Sequence, residues 1–206
     1  MGDCFKTIKE TNEGFYEEKF SKFIAKNYYI ETEEEVSKIL EEARKEYKDA
    51  RHIVYAYKIG NVFKYSDDGE PQGTGGMPIL RIINGNELNN ILIICVRYFG
   101  GILLGTGPLA RAYMQASKDL IEKSEIVKYE KAKSITFKVE YKDFEHVKSI
   151  IERNNGVITN NIFLEKVEVT FKIVLNMIES TKKELKDVDL SINFYNEEEC
   201  YLPANK

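Results

Sequence analysis

Two glycine clusters on either side of a continuous apolar run constrain this chain more than any other feature of its 206 residues. The first cluster lies in Ser66 to Leu80, S-D-D-G-E-P-Q-G-T-G-G-M-P-I-L. The second lies in Val96 to Tyr113, V-R-Y-F-G-G-I-L-L-G-T-G-P-L-A-R-A-Y. Glycine loses more conformational freedom on folding than any other residue, so such clusters imply backbone that turns sharply, packs closely or approaches a ligand. The run between them, Asn90 to Val96 (N-I-L-I-I-C-V), suits a strand covered on both faces. The expected order is loop, helix, buried strand, loop, helix.

In the second loop, Arg97, Tyr98 and Phe99 leave the strand, Gly100 and Gly101 turn, and Gly105, Thr106 and Gly107 turn again. Pro108 suits the first position of the helix that follows, and Thr106 is expected to cap it. A helix start behind bare glycine amides is an anion site, and Arg97 and Arg111 would add charge to it. The same glycines are also what a tight strand-to-helix crossover requires. In the first loop, Asp67, Asp68 and Gly69 form a turn signal and Pro71 a rigid corner. Thr74 or a neighbouring glycine is expected near the cap, with Pro78 in the first helical turn. Asp67, Asp68 and Glu70 are either ligands for a divalent cation or an acidic turn facing solvent. Neither loop has the spacing of a Walker A or a dinucleotide-binding fingerprint. No cofactor and no catalytic residue is expected.

Taken together, these blocks resemble the signature of the YigZ/IMPACT family in its bacterial form. Upstream, Lys19-Phe20-Ser21-Lys22-Phe23-Ile24 is similar to the family's K-x-S-R-F-I motif, and Asp49-Ala50-Arg51-His52 matches its D-A-R-H. Two positions depart from the pattern. Pro108 replaces a usual glycine and stiffens the start of the helix. Lys22 replaces a usual arginine and loses bidentate geometry. The resemblance implies an α+β chain: residues 1–128 form a domain similar to the second domain of ribosomal protein S5, and residues 132–206 a ferredoxin-like domain. A similar pair of domains occurs near the C-terminus of elongation factor G, a fold-level analogy that points towards translation.

Charge and cysteine usage narrow the class. The formal charge of −4 argues against a generally basic nucleic-acid coat. A local basic face is still available from Lys19, Lys22, Lys26, Arg51, Arg81, Arg97 and Arg111. Cys4, Cys95 and Cys200 are too scattered for a disulfide framework or a zinc site, and Cys95 reads as a small core residue. The first residues, Met1 to Lys6, lack an apolar targeting segment, and no run approaches membrane-spanning length. A cytoplasmic protein is expected.

Strands are expected from Phe5 to about Ile30, with a turn at Asn12-Glu13-Gly14. Thr32-Glu33-Glu34-Glu35 is a capping box, opening a helix whose apolar face is Val36, Ile39, Leu40, Ala43 and Tyr47. His52 to Tyr57 and Val62 to Tyr65 form a hairpin that places Arg51 and His52 near the loops. His52 is either a strand-edge histidine bonded to backbone or a participant in the site. Past a polar connector over Ser124 to Lys131, the order is strand, helix (Asp143–Arg153), two strands, helix (Ile178–Val188) and a last strand over Leu190 to Tyr195. That β-α-β-β-α-β series is the ferredoxin-like pattern. His146 sits mid-helix and reads as structural or exposed.

The leading functional expectation is a non-enzymatic, translation-associated protein that binds RNA, the ribosome or a ribosome-linked protein. Arg51, Arg97 and Arg111 would meet phosphates. Gly100, Gly101, Gly105 and Gly107 would allow close approach, and Tyr98 or Phe99 would stack on a base. For eukaryotic members, the resemblance implies control of translation during amino-acid starvation through competition for a kinase activator. The alternative is a magnesium-dependent enzyme acting on nucleotides or phosphate esters, with Asp67, Asp68 and Glu70 as ligands. A third reading is a protein-docking module using Ile102, Leu103 and Leu104.

Overall fold

The computed structural model describes residues 4–204. The chain folds as two compact units dividing between Val127 and Lys128. The first unit is a five-stranded antiparallel sheet, order β2-β3-β6-β4-β5, comprising β2 (Glu13–Glu18), β3 (Ser21–Tyr29), β4 (His52–Ile59), β5 (Val62–Ser66) and β6 (Ile91–Tyr98). A short strand β1 (Cys4–Ile8) precedes it, with Ile8 fully buried.

Alternation along the central strands explains why both faces need cover. Ile91, Ile93 and Cys95 of β6 join Phe23, Val54 and Ala56 beneath α2 (Gly76–Gly85) and α3 (Thr106–Glu122). Leu92, Ile94 and Val96 join Ile53 and Tyr57 beneath α1 (Glu33–Glu46) on the opposite face. β6 is therefore buried on both sides, as its unbroken apolar run requires. Helix α1 starts at Thr32 with both arms of the capping box formed, and its five apolar positions all pack against the sheet.

The expected turn at Asn12-Glu13-Gly14 is not there, since Glu13 and Gly14 lie within β2. The hairpin instead turns at Lys19 and Phe20, both with positive φ, which is the twist a two-residue hairpin needs. Gly14 is glycine for a different reason: a Cβ there would fall 2.3 Å from Ala116 O and Leu120 N, so α3 lies directly on the strand backbone.

The second unit has strands β10 (Tyr195–Pro203), β7 (Ile126–Val139), β9 (Val167–Val174) and β8 (Val157–Phe163) in that order, all antiparallel, with α4 (Phe144–Arg153) and α5 (Ile178–Val188). This is the ferredoxin-like arrangement, and the chain as a whole is α+β. Helix α4 stops as expected, with Asn155 at positive φ and Gly156 N bonded to Ile151 O. Two expectations are corrected. The connector over Ser124 to Lys131 is mostly β7, because Tyr129 to Lys131 pair with β10. The last strand begins at Tyr195 rather than ending there, and two residues of its acidic run are paired: Glu197 bridges Lys133 and Lys182, and Glu199 bridges Lys131. Among the described residues no helix is long and apolar enough to cross a membrane.

Candidate functional site

Strand register puts the first two site residues together. His52 opens β4 directly opposite Arg97 near the end of β6, and Arg97 also lies opposite Phe23 of β3. These side chains share the sheet face that carries α2 and α3. Both glycine-rich loops reach the same end of that face. Arg51, His52, Gly69, Glu70, Arg97, Phe99 and Leu103 line one pocket of about 230 Å³.

The centre of the pocket is an ion pair that the local sequence pattern does not reveal. Arg97 Nη1 donates to Glu70 Oε1 at 2.6 Å, with the two side chains only 8% and 5% exposed. The Tyr113 hydroxyl from α3 donates to the same oxygen at 2.8 Å. Burial first, and the Glu70 charge with it, drives the Tyr113 hydroxyl pKa far above its ordinary value. The Arg97 guanidinium also lies 5.6 Å from the Phe23 ring and 5.5 Å from Phe99, and its Nε is buried without a partner. Arg97 is thus a neutralised structural cation, not the free phosphate contact expected of it. Tyr113 is the residue that sequence reasoning missed, although its place one helical turn beyond Leu109 marks it as core-facing.

The acidic cluster does not converge on a cation. Asp67 closes the start of α2: Oδ2 accepts from Gly73 N at 2.8 Å, and Oδ1 from Gly75 N and Gly76 N at 2.9 Å each. Asp68 Oδ2 accepts from Ile53 N and Oδ1 from Arg44 Nη2, both at 2.7 Å. Glu70 serves Arg97. Each carboxylate is held by its own donors, and among the described residues no group of three or more His, Cys, Asp or Glu is placed to hold a metal ion. Asp67 itself supplies the negative charge that the start of α2 attracts. Gly75 stands at the cap position, while the Thr74 hydroxyl donates to Pro71 O.

The second helix start is different. Gly105, with φ of +78°, occupies the cap of α3, and no side chain caps it. Thr106 is the first residue inside the helix rather than its cap, and Pro108 is the third rather than the first. Gly107 and Thr106 are exposed, and Arg111 Nη1 lies 3.7 Å from where a Cβ on Gly107 would be, so this guanidinium folds back along the open end. Gly100 permits close contact, since a Cβ there would meet the Phe20 backbone at 2.1 Å, whereas Gly101 stands in open space. Tyr98 points away from the pocket and packs in the core under α1, so Phe99 is the aromatic at the site. Leu104 is buried, while Ile102 and Leu103 are exposed, Leu103 at 84%.

His52 has a defined orientation. Its Nδ1 lies 2.6 Å from Asp68 O. A carbonyl oxygen only accepts, so Nδ1 carries a proton and donates to it. Arg51, one residue earlier, is exposed and makes no ion pair among the described residues. The pocket therefore combines a free guanidinium at its edge, an oriented imidazole, a buried carboxylate and a partly exposed aromatic ring.

An α+β chain with two glycine-rich loops meeting beside a buried Arg–Glu pair, followed by a ferredoxin-like unit, defines a two-domain fold. Comparison with known proteins makes this specific. Residues 19–121 match the Impact N-terminal domain, and residues 137–188 match a domain of unknown function, DUF1949. The chain belongs to the IMPACT family. It is 35% identical over 179 residues to an IMPACT family member of Haemophilus influenzae, covering 82% of this chain and 84% of that one. It is 32% identical over 148 residues to IMPACT family member YigZ of Escherichia coli, covering 69% and 72%. The match to IMPACT family member YvyE of Bacillus subtilis, 37% identical, spans 55% of this chain and 54% of that protein. A crystal structure described as that of a hypothetical protein superposes with a TM-score of 0.68 at 26% identity, covering 94% of this chain and 97% of that one.

Proposed function

We propose that the first unit binds single-stranded RNA of the translation apparatus, as a regulator and not as a catalyst. The observation that carries this reading is the meeting of both glycine-rich loops, Arg51 and His52 around one pocket edged by the exposed ring of Phe99. Single-stranded RNA is held by stacking of unpaired bases on aromatic rings and by cations on its phosphates. Phe99 offers the ring. Arg51 supplies one cation at the pocket edge, and Arg111 a second beside the uncapped start of α3. The family resemblance to eukaryotic regulators points to translation control, which in those proteins runs through a protein partner. The magnesium-dependent alternative loses the carboxylates on which it was built, since each is occupied by backbone amides or an arginine.

A second reading rests on Leu103, which is 84% exposed beside the half-exposed Ile102. Such aliphatics on a loop favour docking of a protein, with little dependence on salt. Co-sedimentation with ribosomes and anisotropy titration of single-stranded RNA, both across a salt series, separate the two. RNA binding weakens steeply with salt, and Arg51→Ala or Arg111→Ala each lowers the salt slope by about one. Salt-insensitive association that vanishes with Leu103→Ser, and is unmoved by either arginine change, overturns the RNA reading in favour of the protein one.

A further inference from the structure

The hairpin between β2 and β3, in the Lys19-Phe20-Ser21-Lys22 block, presents an aromatic ring to solvent at a cost to the fold. Phe20 is 71% exposed, more than any other described phenylalanine, and holds φ of 64° next to Lys19 at 46°. Left-handed backbone at such a turn suits Gly or Asn and is an outlier for a bulky side chain. Neither apolar burial nor turn geometry accounts for a phenylalanine here, and strain of this kind gathers at functional sites. The tip is tied to the second glycine-rich loop. Gly100 N donates to Ser21 Oγ at 3.1 Å, and a Cβ on Gly100 would fall 2.1 Å from the Phe20 backbone. Phe99, the ring at the pocket, is the residue before Gly100. Register places Lys22 opposite Tyr98 and His52 opposite Arg97, so the tip, the end of β6 and the start of β4 share one end of the sheet.

We infer that Phe20 is a second base-stacking platform, so that a single strand held at the pocket runs on over the hairpin and two unpaired bases meet two rings. This deepens the RNA reading and rests on it. A flat ring fixed on a hairpin tip gives a base a face to lie on, whatever the base is. Lys19 beside it is exposed and makes no ion pair among the described residues, which suits the adjoining phosphate. Of the two carboxylates that precede the turn, Glu17 stands opposite Lys22 in the hairpin register and Glu18 accepts from the Tyr16 hydroxyl at 3.1 Å. A protein or lipid surface would instead use Phe20 for its apolar area alone, and an aliphatic side chain would serve it equally.

The test uses the full chain and fluorescence anisotropy with labelled oligouridine and an abasic oligomer of the same length. Phe20→Ala is expected to weaken oligouridine binding about five- to a hundredfold, the scale of one stacked base, and to leave binding of the abasic oligomer unchanged. Phe20→Leu, which keeps apolar area without the ring, falls with it. Phe20→Trp retains the native affinity, and its emission, from the only tryptophan in the chain, changes as oligouridine is added. The salt slope stays native in all three, since none removes a charge. Circular dichroism melts check that each variant is folded, as so exposed a position predicts. Native affinity in Phe20→Leu, equal weakening on both oligomers, or unchanged tryptophan emission overturns the stacking role and leaves the RNA reading standing. Absence of binding to every oligonucleotide by the native chain overturns both.

Discussion

Arg97→Met is the sharpest probe of the site, because it separates a structural arginine from one that contacts phosphate. In the native chain its guanidinium sits 2.6 Å from Glu70 with both side chains at least nine-tenths buried. Removing the cation leaves a buried carboxylate with only the Tyr113 hydroxyl as donor, a change that costs about 3–5 kcal/mol. The unit that ends at Val127 gains roughly 2.1 cal/mol/K of entropy per residue on unfolding, or about 0.27 kcal/mol/K in total. The expected fall in melting temperature is therefore roughly 11–19 °C when that unit unfolds as one transition. Thermal scans by circular dichroism read this directly, with urea titrations as a check. The double variant Arg97→Met, Glu70→Gln removes the stranded charge while its neutral amide still accepts from Tyr113. It should recover about 1–3 kcal/mol relative to the sum of the single changes. A single variant that melts within a few degrees of the native chain, or strictly additive effects in the double, would refute the argument.

Three further outcomes follow from other contacts. Asp67→Ala strips the acceptor from three amides at the start of α2 and should cost about 2 kcal/mol or more, above the usual range for one cap, read as a lower urea midpoint; Asp67→Asn should fall between. Gly14→Ala drives a methyl group into the α3 backbone and should destabilise by about 1–3 kcal/mol, whereas Gly101→Ala meets no neighbour and suffers only the strain of its positive φ. Hydrogen bonds from Lys182 first and Lys133 second hold the Glu197 carboxyl below its ordinary value of 4.5. Its folded-state pKa is depressed, so its stabilising contribution is present above that value and is lost as pH falls through the lowered one. The stability difference between the native chain and Glu197→Gln should be largest near neutral pH and shrink as pH falls below the ordinary carboxylate value; a difference independent of pH would contradict the assignment.

Much of the scaffold was legible because it rests on local pattern. The capping box at Thr32, the apolar face of α1 and the run from Ile91 to Val96 each announce an element within a few residues. The site was legible only in outline. Arg51, His52 and the two loops do gather at one pocket, but the roles of the charges were not readable from spacing. Arg97 and Glu70 are 27 residues apart, and nothing local says that one neutralises the other. Asp67 reaches forward by as many as nine residues to close a helix start, which turns an apparent metal ligand into a cap. Gly14 misled for a related reason: the same residue serves a turn and a close helix contact, and only the position of α3 distinguishes them. Thr106 lost the cap to Gly105, whose positive φ the backbone requires at that point.

The anchoring of the first loop by Asp67 and Asp68, set against the open surroundings of Gly101 and Gly105, divides the two sides of the pocket by their tolerance of change. One side is tied into the scaffold through both aspartates, so substitutions there disturb the fold before they alter what is bound. The other side, from Gly101 to Leu103, offers more freedom to lengthen, shorten or re-surface without uncapping a helix. New specificities, whether selected in nature or built at the bench, have their most accessible route through that second margin.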